Sequence, residues 1–185
     1  MYKKPRYLWT YGMEKLSSKQ RRSLSIRLQQ IYGITDLFVS MKGYLFPDNL
    51  LKTELKKLIE DMKPLTVHAM TFQDTSFLDL SDSRLEEKVI QVVRQLNSYN
   101  LSNPKYQLKG IHLDVEPHAH KDFKKDRSHS GNDHIRSLFS KYNKLLQYFR
   151  NHIDGSLGLN KDDFMFSAAT GWWYENYSQT SMGNL

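Results

Sequence analysis

"LKGIHLDVEPHAHKDF", residues 108–123, places His112, Asp114, Glu116, His118 and His120 at every second position. Side chains on a β-strand alternate between its two faces, so on a strand His112, Asp114 and Glu116 all point the same way. An imidazole and two carboxylates on one strand face have three readings. They do acid–base chemistry, they bind a metal, or they line a solvated sheet edge. The segments on either side narrow the choice.

Upstream and downstream, short apolar runs alternate with longer amphipathic stretches. Residues 6–12 read as a strand ending at Gly12. Residues 17–33 read as a helix, with Leu24, Leu28 and Ile31 at helical spacing, Ser17 or Ser18 at its start and Gly33 at its end. A second strand over 34–43 precedes a helix over 47–63 that carries Leu51, Leu55, Leu58 and Met62 on one face. A third strand over 65–74 precedes a helix over 81–100 striped by Leu85, Val89, Val92, Val93 and Leu96. The fourth strand is 108–117. A helix over 133–153 follows, with Ile135, Leu138, Phe139, Tyr142, Leu145, Leu146 and Phe149 facing inward, and a fifth strand spans 163–175. Five consecutive βα-type units with no hairpin signal imply a parallel sheet with helices outside it.

Residues 9–18, "WTYGMEKLSS", hold a single glycine after strand one, so no phosphate-binding loop is present and a dinucleotide fold is disfavoured. The remaining parallel architecture is the (β/α)8 barrel of TIM type. Its chemistry sits at the C-terminal ends of the strands. Polar residues gather there: Lys42 after strand two, Gln73 and Asp74 after strand three, Asp114 and Glu116 after strand four, and Trp172, Trp173, Tyr174 and Glu175 after strand five. Eight strands close such a barrel. About five units are legible, so the expectation is one incomplete barrel domain over residues 1–185.

Composition is consistent with one core. The 185 residues are 39% hydrophobic and 25% charged, which is ordinary for a globular chain. There is no cysteine, which excludes a disulfide framework and thiolate metal sites. No apolar run follows the basic start, so neither a signal peptide nor a membrane span is expected, and the default compartment is the cytoplasm. The net charge of +7 is spread along the chain without a nucleic-acid-binding motif, so it reads as a lysine-rich solvated surface, with no nucleic-acid partner. Oligomeric state is not set by the sequence.

"KGIHLDVE", residues 109–116, resembles the strand-four motif DGxDxDxE of family 18 glycoside hydrolases, the chitinases and their relatives. Glu116 falls on the proton-donating Glu and Asp114 on the Asp two residues before it, while Lys109 and His112 stand in place of the first two acids. "VEP" at 115–117 also resembles the Asn-Glu-Pro ending of strand four in the large clan of retaining glycosidases, without its Asn. The whole of "GIHLDVEP" looks most like a group of uncharacterised bacterial proteins with glycosidase-like barrels. The resemblance implies a carbohydrate-active hydrolase acting on an oligosaccharide or polysaccharide, with Glu116 as general acid, Asp114 as its partner and no cofactor.

The residues suit that chemistry. Glycoside hydrolysis needs a carboxyl proton donor and a second group, a carboxylate or the substrate's own acetamido, that stabilises the developing positive charge. Flat rings such as those of Trp172, Trp173 and Tyr174 stack on sugar faces, and Glu175 is a candidate second carboxylate. His112, Gln73, Asp74 and Lys42 complete the expected substrate contacts. Two alternatives stand beside this one. His112, Asp114, Glu116 and His118 could ligate a metal in a metal-dependent hydrolase, since imidazole and carboxylate suit zinc or manganese. Or the chain is a non-catalytic, sugar-binding barrel remnant. His68 on strand three, and Asp114 in an ion pair with Lys42 or Lys109, have structural readings as well.

Overall fold

The computed structural model describes residues 6–41, 49–121, 123, 133–155 and 164–170. Five strands, β1 (Tyr7–Thr10), β2 (Asp36–Ser40), β3 (Thr66–Thr71), β4 (Gly110–Leu113) and β5 (Met165–Ala168), form one sheet in the order β1-β2-β3-β4-β5. Every neighbouring pair is parallel. Between them, among the described residues, lie the helices α1 (Ser18–Tyr32), α2 (Asn49–Asp61), α3 (Asp82–Ser102) and α4 (Asp133–Gly155). The alternating α/β plan read from the sequence is therefore the architecture, with strands shorter than the apolar runs that announce them.

Local chemistry fixes the helix ends. Ser17 accepts a hydrogen bond from the Gln20 backbone N–H, and the Gln20 side chain accepts one from the Ser17 backbone N–H at 2.9 Å, a reciprocal capping box. Gly33 closes α1 at φ 63°, the left-handed conformation that glycine adopts without steric cost. Ser81 caps α3 by accepting from the Arg84 N–H.

Alternation along the strands divides the sheet into two faces. Leu37 and Val39, Val67 and Ala69, and Ile111 and Leu113 pack with Leu28, Leu55, Leu58, Val89, Leu96, Leu145 and Phe149 in one helix-covered core. The opposite face carries Tyr7 and Trp9, Asp36 and Phe38, His68 and Met70, and Gly110 and His112, in matching registers. That face is concave. Strands one and four are separated by three spacings, roughly 14 Å in a flat sheet. Yet Trp9 Nε1 donates to His112 Nε2 at 3.0 Å, and Tyr11 Oη donates to Asp114 Oδ2 at 2.7 Å. Side chains that lean toward one another cover part of that distance, and a sheet curled toward this face closes the rest.

The buried face of α1 differs from the one read in the sequence. Ile31 is 62% exposed, while Arg21, Ser25 and Leu28 face inward. The cause is a buried ion pair. Arg21 Nε and Nη2 donate to Asp61 Oδ2 at 2.9 and 2.8 Å, Arg22 Nε lies 3.1 Å from Oδ1, and the Arg21 Nη1 group donates to the Leu16 carbonyl. Ser25 Oγ donates to the Lys63 carbonyl at 3.1 Å. This polar seam, rather than the leucine stripe, sets the rotation of α1 against α2. Burial disfavours the charged Asp61 carboxylate, but hydrogen bonds from Ser18 and Arg21 and the charges of Arg21 and Arg22 outweigh it and hold its pKa below the usual value.

Two substitutions test this account by urea denaturation. Asp61→Ala leaves the Arg21 guanidinium buried and unpaired, and is expected to cost about 3–5 kcal/mol. Gly110→Ala places a Cβ 2.6 Å from His68 Nδ1 and 2.6 Å from the Met165 carbonyl oxygen. A backbone atom cannot step aside, so a loss of about 1–3 kcal/mol is expected.

Candidate functional site

The C-terminal strand ends form the rim of the concave face. The Asp114 backbone N–H donates to the Thr71 carbonyl at 3.1 Å, so strand-like pairing runs one residue past β4 and keeps Asp114 on the same face as His112. Tyr11, just beyond β1, donates its hydroxyl to Asp114 Oδ2. Ser40, the last residue of β2, donates to Gln73 Oε1 at 2.5 Å. Gln73 in turn lies close enough to the Tyr11 hydroxyl to act on its titration. A chain of polar groups thus runs Ser40, Gln73, Tyr11, Asp114, across four strand ends.

Gln73 reaches this chain through a backbone reversal. After Thr71 the next side chain of an extended strand would fall on the concave face. Phe72 instead adopts φ 52°, a left-handed conformation uncommon for residues with a Cβ. Its ring is buried on the helix side against Phe77 and Phe149, with ring centroids 4.3 and 5.1 Å away. The alternation is reset by one residue. The phenyl ring goes to the core and the amide goes to the rim.

The Tyr11 hydroxyl is pushed up to about 12, first by desolvation, then by its hydrogen bond to Asp114 and the charge of that carboxylate, with Glu116 adding and Gln73 opposing. At neutral pH Tyr11 is therefore a fixed hydrogen-bond donor to Asp114. Glu116 lies near enough for its charge to be felt at the Tyr11 hydroxyl. Glu116 sits in extended backbone and leads into a short 3-10 turn, Pro117–Ala119. Its side chain is 44% exposed, and Oε2 lies 3.3 Å from His118 Nε2. One carboxylate is held by a phenol, and its neighbour is open to solvent beside an imidazole.

Beneath the rim lies an aromatic floor. Phe38 stacks on His112 at 4.4 Å with 19° between the planes, and on Tyr7 at 5.2 Å with 2°. Because His112 Nε2 accepts from the Trp9 indole, Nδ1 carries the ring proton and donates to Ser167 Oγ at 2.9 Å. Burial pushes the His112 pKa below the ordinary imidazole value; the charge of Asp114 opposes this and His68 reinforces it. His112 is thus neutral, and its basic nitrogen is occupied. It neither activates Ser167 as a nucleophile nor offers a lone pair to a metal. His68 Nε2 pairs with Asp36 Oδ1 at 2.8 Å. Its Nδ1 makes no hydrogen bond, although the nearby Lys109 carbonyl favours a proton on the ring. Burial is the largest influence on His68 and lowers its pKa against the pull of Asp36.

Of the residues singled out in the sequence, His112, Gln73, Asp114 and Glu116 converge on this concave face and its rim. Asp74 serves elsewhere, capping the short 3-10 turn Thr75–Asp79 by accepting from the Ser76 N–H. Lys42, Trp172, Trp173, Tyr174 and Glu175 lie outside the described residues. Asp114 takes Tyr11 as its partner, while Lys109 Nζ donates to Gln107. His120 is buried and bound to Asp79 at 3.0 Å, between the turns that follow β4 and β3. Among the described residues no three His, Asp or Glu side chains converge as a metal site would require. Trp9, Tyr11 and Ser40 were not singled out. The alternation of Tyr7, Trp9 and Tyr11 is the signal that would have found the first two. No family model, curated protein or solved structure matches the chain. Among the described residues no helix is long and apolar enough to cross a membrane.

His68 and His112 couple this site to pH. The unfolded chain takes up their protons near pH 6.5, whereas the folded chain resists them to lower pH. Their contribution to stability is complete above the unfolded value and is lost as pH falls through the folded values. Urea midpoints measured from about pH 7.5 down to about pH 5 should fall, and His112→Phe should make that fall shallower.

Proposed function

We propose that this chain carries the acid–base half of a glycoside-hydrolase-like (β/α) barrel, a carbohydrate-active hydrolase with Glu116 as general acid and Asp114 as its partner. The observation that carries the reading is the rim. Asp114 is bonded to Tyr11, with Gln73 alongside and Glu116 two residues further on, at the C-terminal edge of a curled, all-parallel sheet, over an aromatic floor. Parallel α/β folds bind their ligands at that edge.

The two carboxylates have different surroundings and so take different roles. Glu116, open to solvent, is placed to donate a proton to the glycosidic oxygen as the bond to the leaving sugar breaks. Asp114, oriented by the Tyr11 hydroxyl, supplies negative charge beside the oxocarbenium-like centre that develops, or orients a substrate acetamido group that attacks it. Gln73, bonded to Ser40, stands beside the Tyr11 hydroxyl. The closed hydrogen bonds of His112 support this division, since they make it a part of the floor and not of the proton traffic.

Glu116→Gln keeps the shape of the side chain and removes the proton. Turnover of short oligosaccharides by the full chain should fall about 10²–10⁴-fold, the usual contribution of a general acid, with an unchanged melting temperature. Turnover that survives the substitution, or sugar binding with no turnover in the unaltered chain, defeats the proposal. The second result would mark the chain as a sugar-binding module.

A further inference from the structure

Trp9 is left over from the site as described. It stands on β1, one concave-face position below Tyr11, and is 51% exposed. Half-exposed tryptophans on a surface ordinarily sample several rotamers. This one does not hang free: its N–H is bonded to His112 Nε2, three strands away, and that ring is clamped in turn by Ser167 Oγ and by the stack on Phe38. The indole also packs on Phe38 at 5.9 Å and on the His112 edge at 5.8 Å. Its one hydrogen-bonding atom is used up. What remains for a ligand is an immobile apolar ring surface, directly under carboxylate and amide groups that accept and donate hydrogen bonds.

That combination matches one ligand chemistry well. A sugar ring has an apolar C–H face and an equatorial fringe of hydroxyls. It needs a flat, polarizable surface on one side and hydrogen-bond partners around its edge. A pre-fixed ring also avoids the entropic cost of ordering a side chain on binding. We infer that Trp9 is the stacking floor for a sugar ring in the cleft under Asp114 and Glu116, with His112 and Ser167 as the positioning residues that hold it. The inference rests on the reading of this site as carbohydrate-active.

The test separates the two. The full chain carrying Glu116→Gln, so that binding is measured without turnover, is titrated calorimetrically with short cello- and chito-oligosaccharides. The same titration is done with Trp9→Ala, Trp9→Phe or His112→Phe added, each checked by thermal melt. Trp9→Ala should weaken binding roughly tenfold, the size of one good aromatic contact. Trp9→Phe should lose less, because a ring remains. His112→Phe keeps a ring against Phe38 but removes the acceptor, and should weaken binding although it touches no sugar. If Trp9→Ala does not fold, Trp9→Phe and His112→Phe decide. Unchanged affinity in the folded variants overturns the inference, as does a panel in which no sugar binds. Turnover that depends on Glu116, together with affinity indifferent to Trp9, sinks this inference alone. Binding that depends on Trp9 in a chain without turnover sinks the catalytic reading alone.

Discussion

The handedness of the parallel crossover governs this molecule. A strand, a helix and a parallel neighbouring strand connect in a right-handed sense almost without exception. Here the five strands are laid down in chain order, each beside the last, so every crossover turns the same way. The four helices α1 to α4 then fall on one side. The helix-covered face takes the aliphatic residues, Leu37, Val39, Val67, Ala69, Ile111 and Leu113. The other face is exempt from that packing and is free to hold aromatic rings, histidines and carboxylates. The division between scaffold and chemistry is a product of strand order before it is a product of any side chain.

The concave face solves a problem that this freedom creates. Histidines placed off the main core still lose water and need partners. Each buried ring here is tied to a different element: His68 to Asp36 on β2, His112 to Trp9 on β1 and Ser167 on β5, and His120 to Asp79 after β3. These three histidines are, in space, separate fastenings. Several of them stitch one strand to another, and the bond from Trp9 to His112 holds the curl of the sheet. Gly110 belongs to the same arrangement, since only a residue without a side chain leaves room for the His68 ring beside β4.

The plan of alternating strands and helices was legible because periodicity survives in the sequence. Leu85, Val89, Val92, Val93 and Leu96 repeat at helical spacing and are buried on α3. Asp114 and Glu116 stand out in the sequence because charge is costly in an otherwise apolar strand. Three features were not. The rotation of α1 follows the Arg21–Asp61 pair, and a contact forty positions apart leaves no trace in the local stripe. The reset at Phe72 breaks the period of two at one residue, with no glycine to announce it. The curl that joins β1 to β4 depends on the whole sheet, so the roles of Trp9 and Tyr11 appear only once four strands are in place.

The sequential registers carry a consequence for the timing of assembly. Tyr7 pairs with Asp36 and Asp36 with Thr66, while Gly110 must wait for Met165. Closing the longer loops costs little extra, since each doubling of length adds only about 0.6 kcal/mol. Supply of chain, more than entropy, therefore sets the order during synthesis. The first three strands can dock as they emerge, in the direction of translation. The bonds from Trp9 and Tyr11 to β4 each span 103 residues and cannot close until the fourth strand has been made. The nascent sheet gains its curvature, and with it the rim that holds Asp114, as a late event in the life of the growing chain.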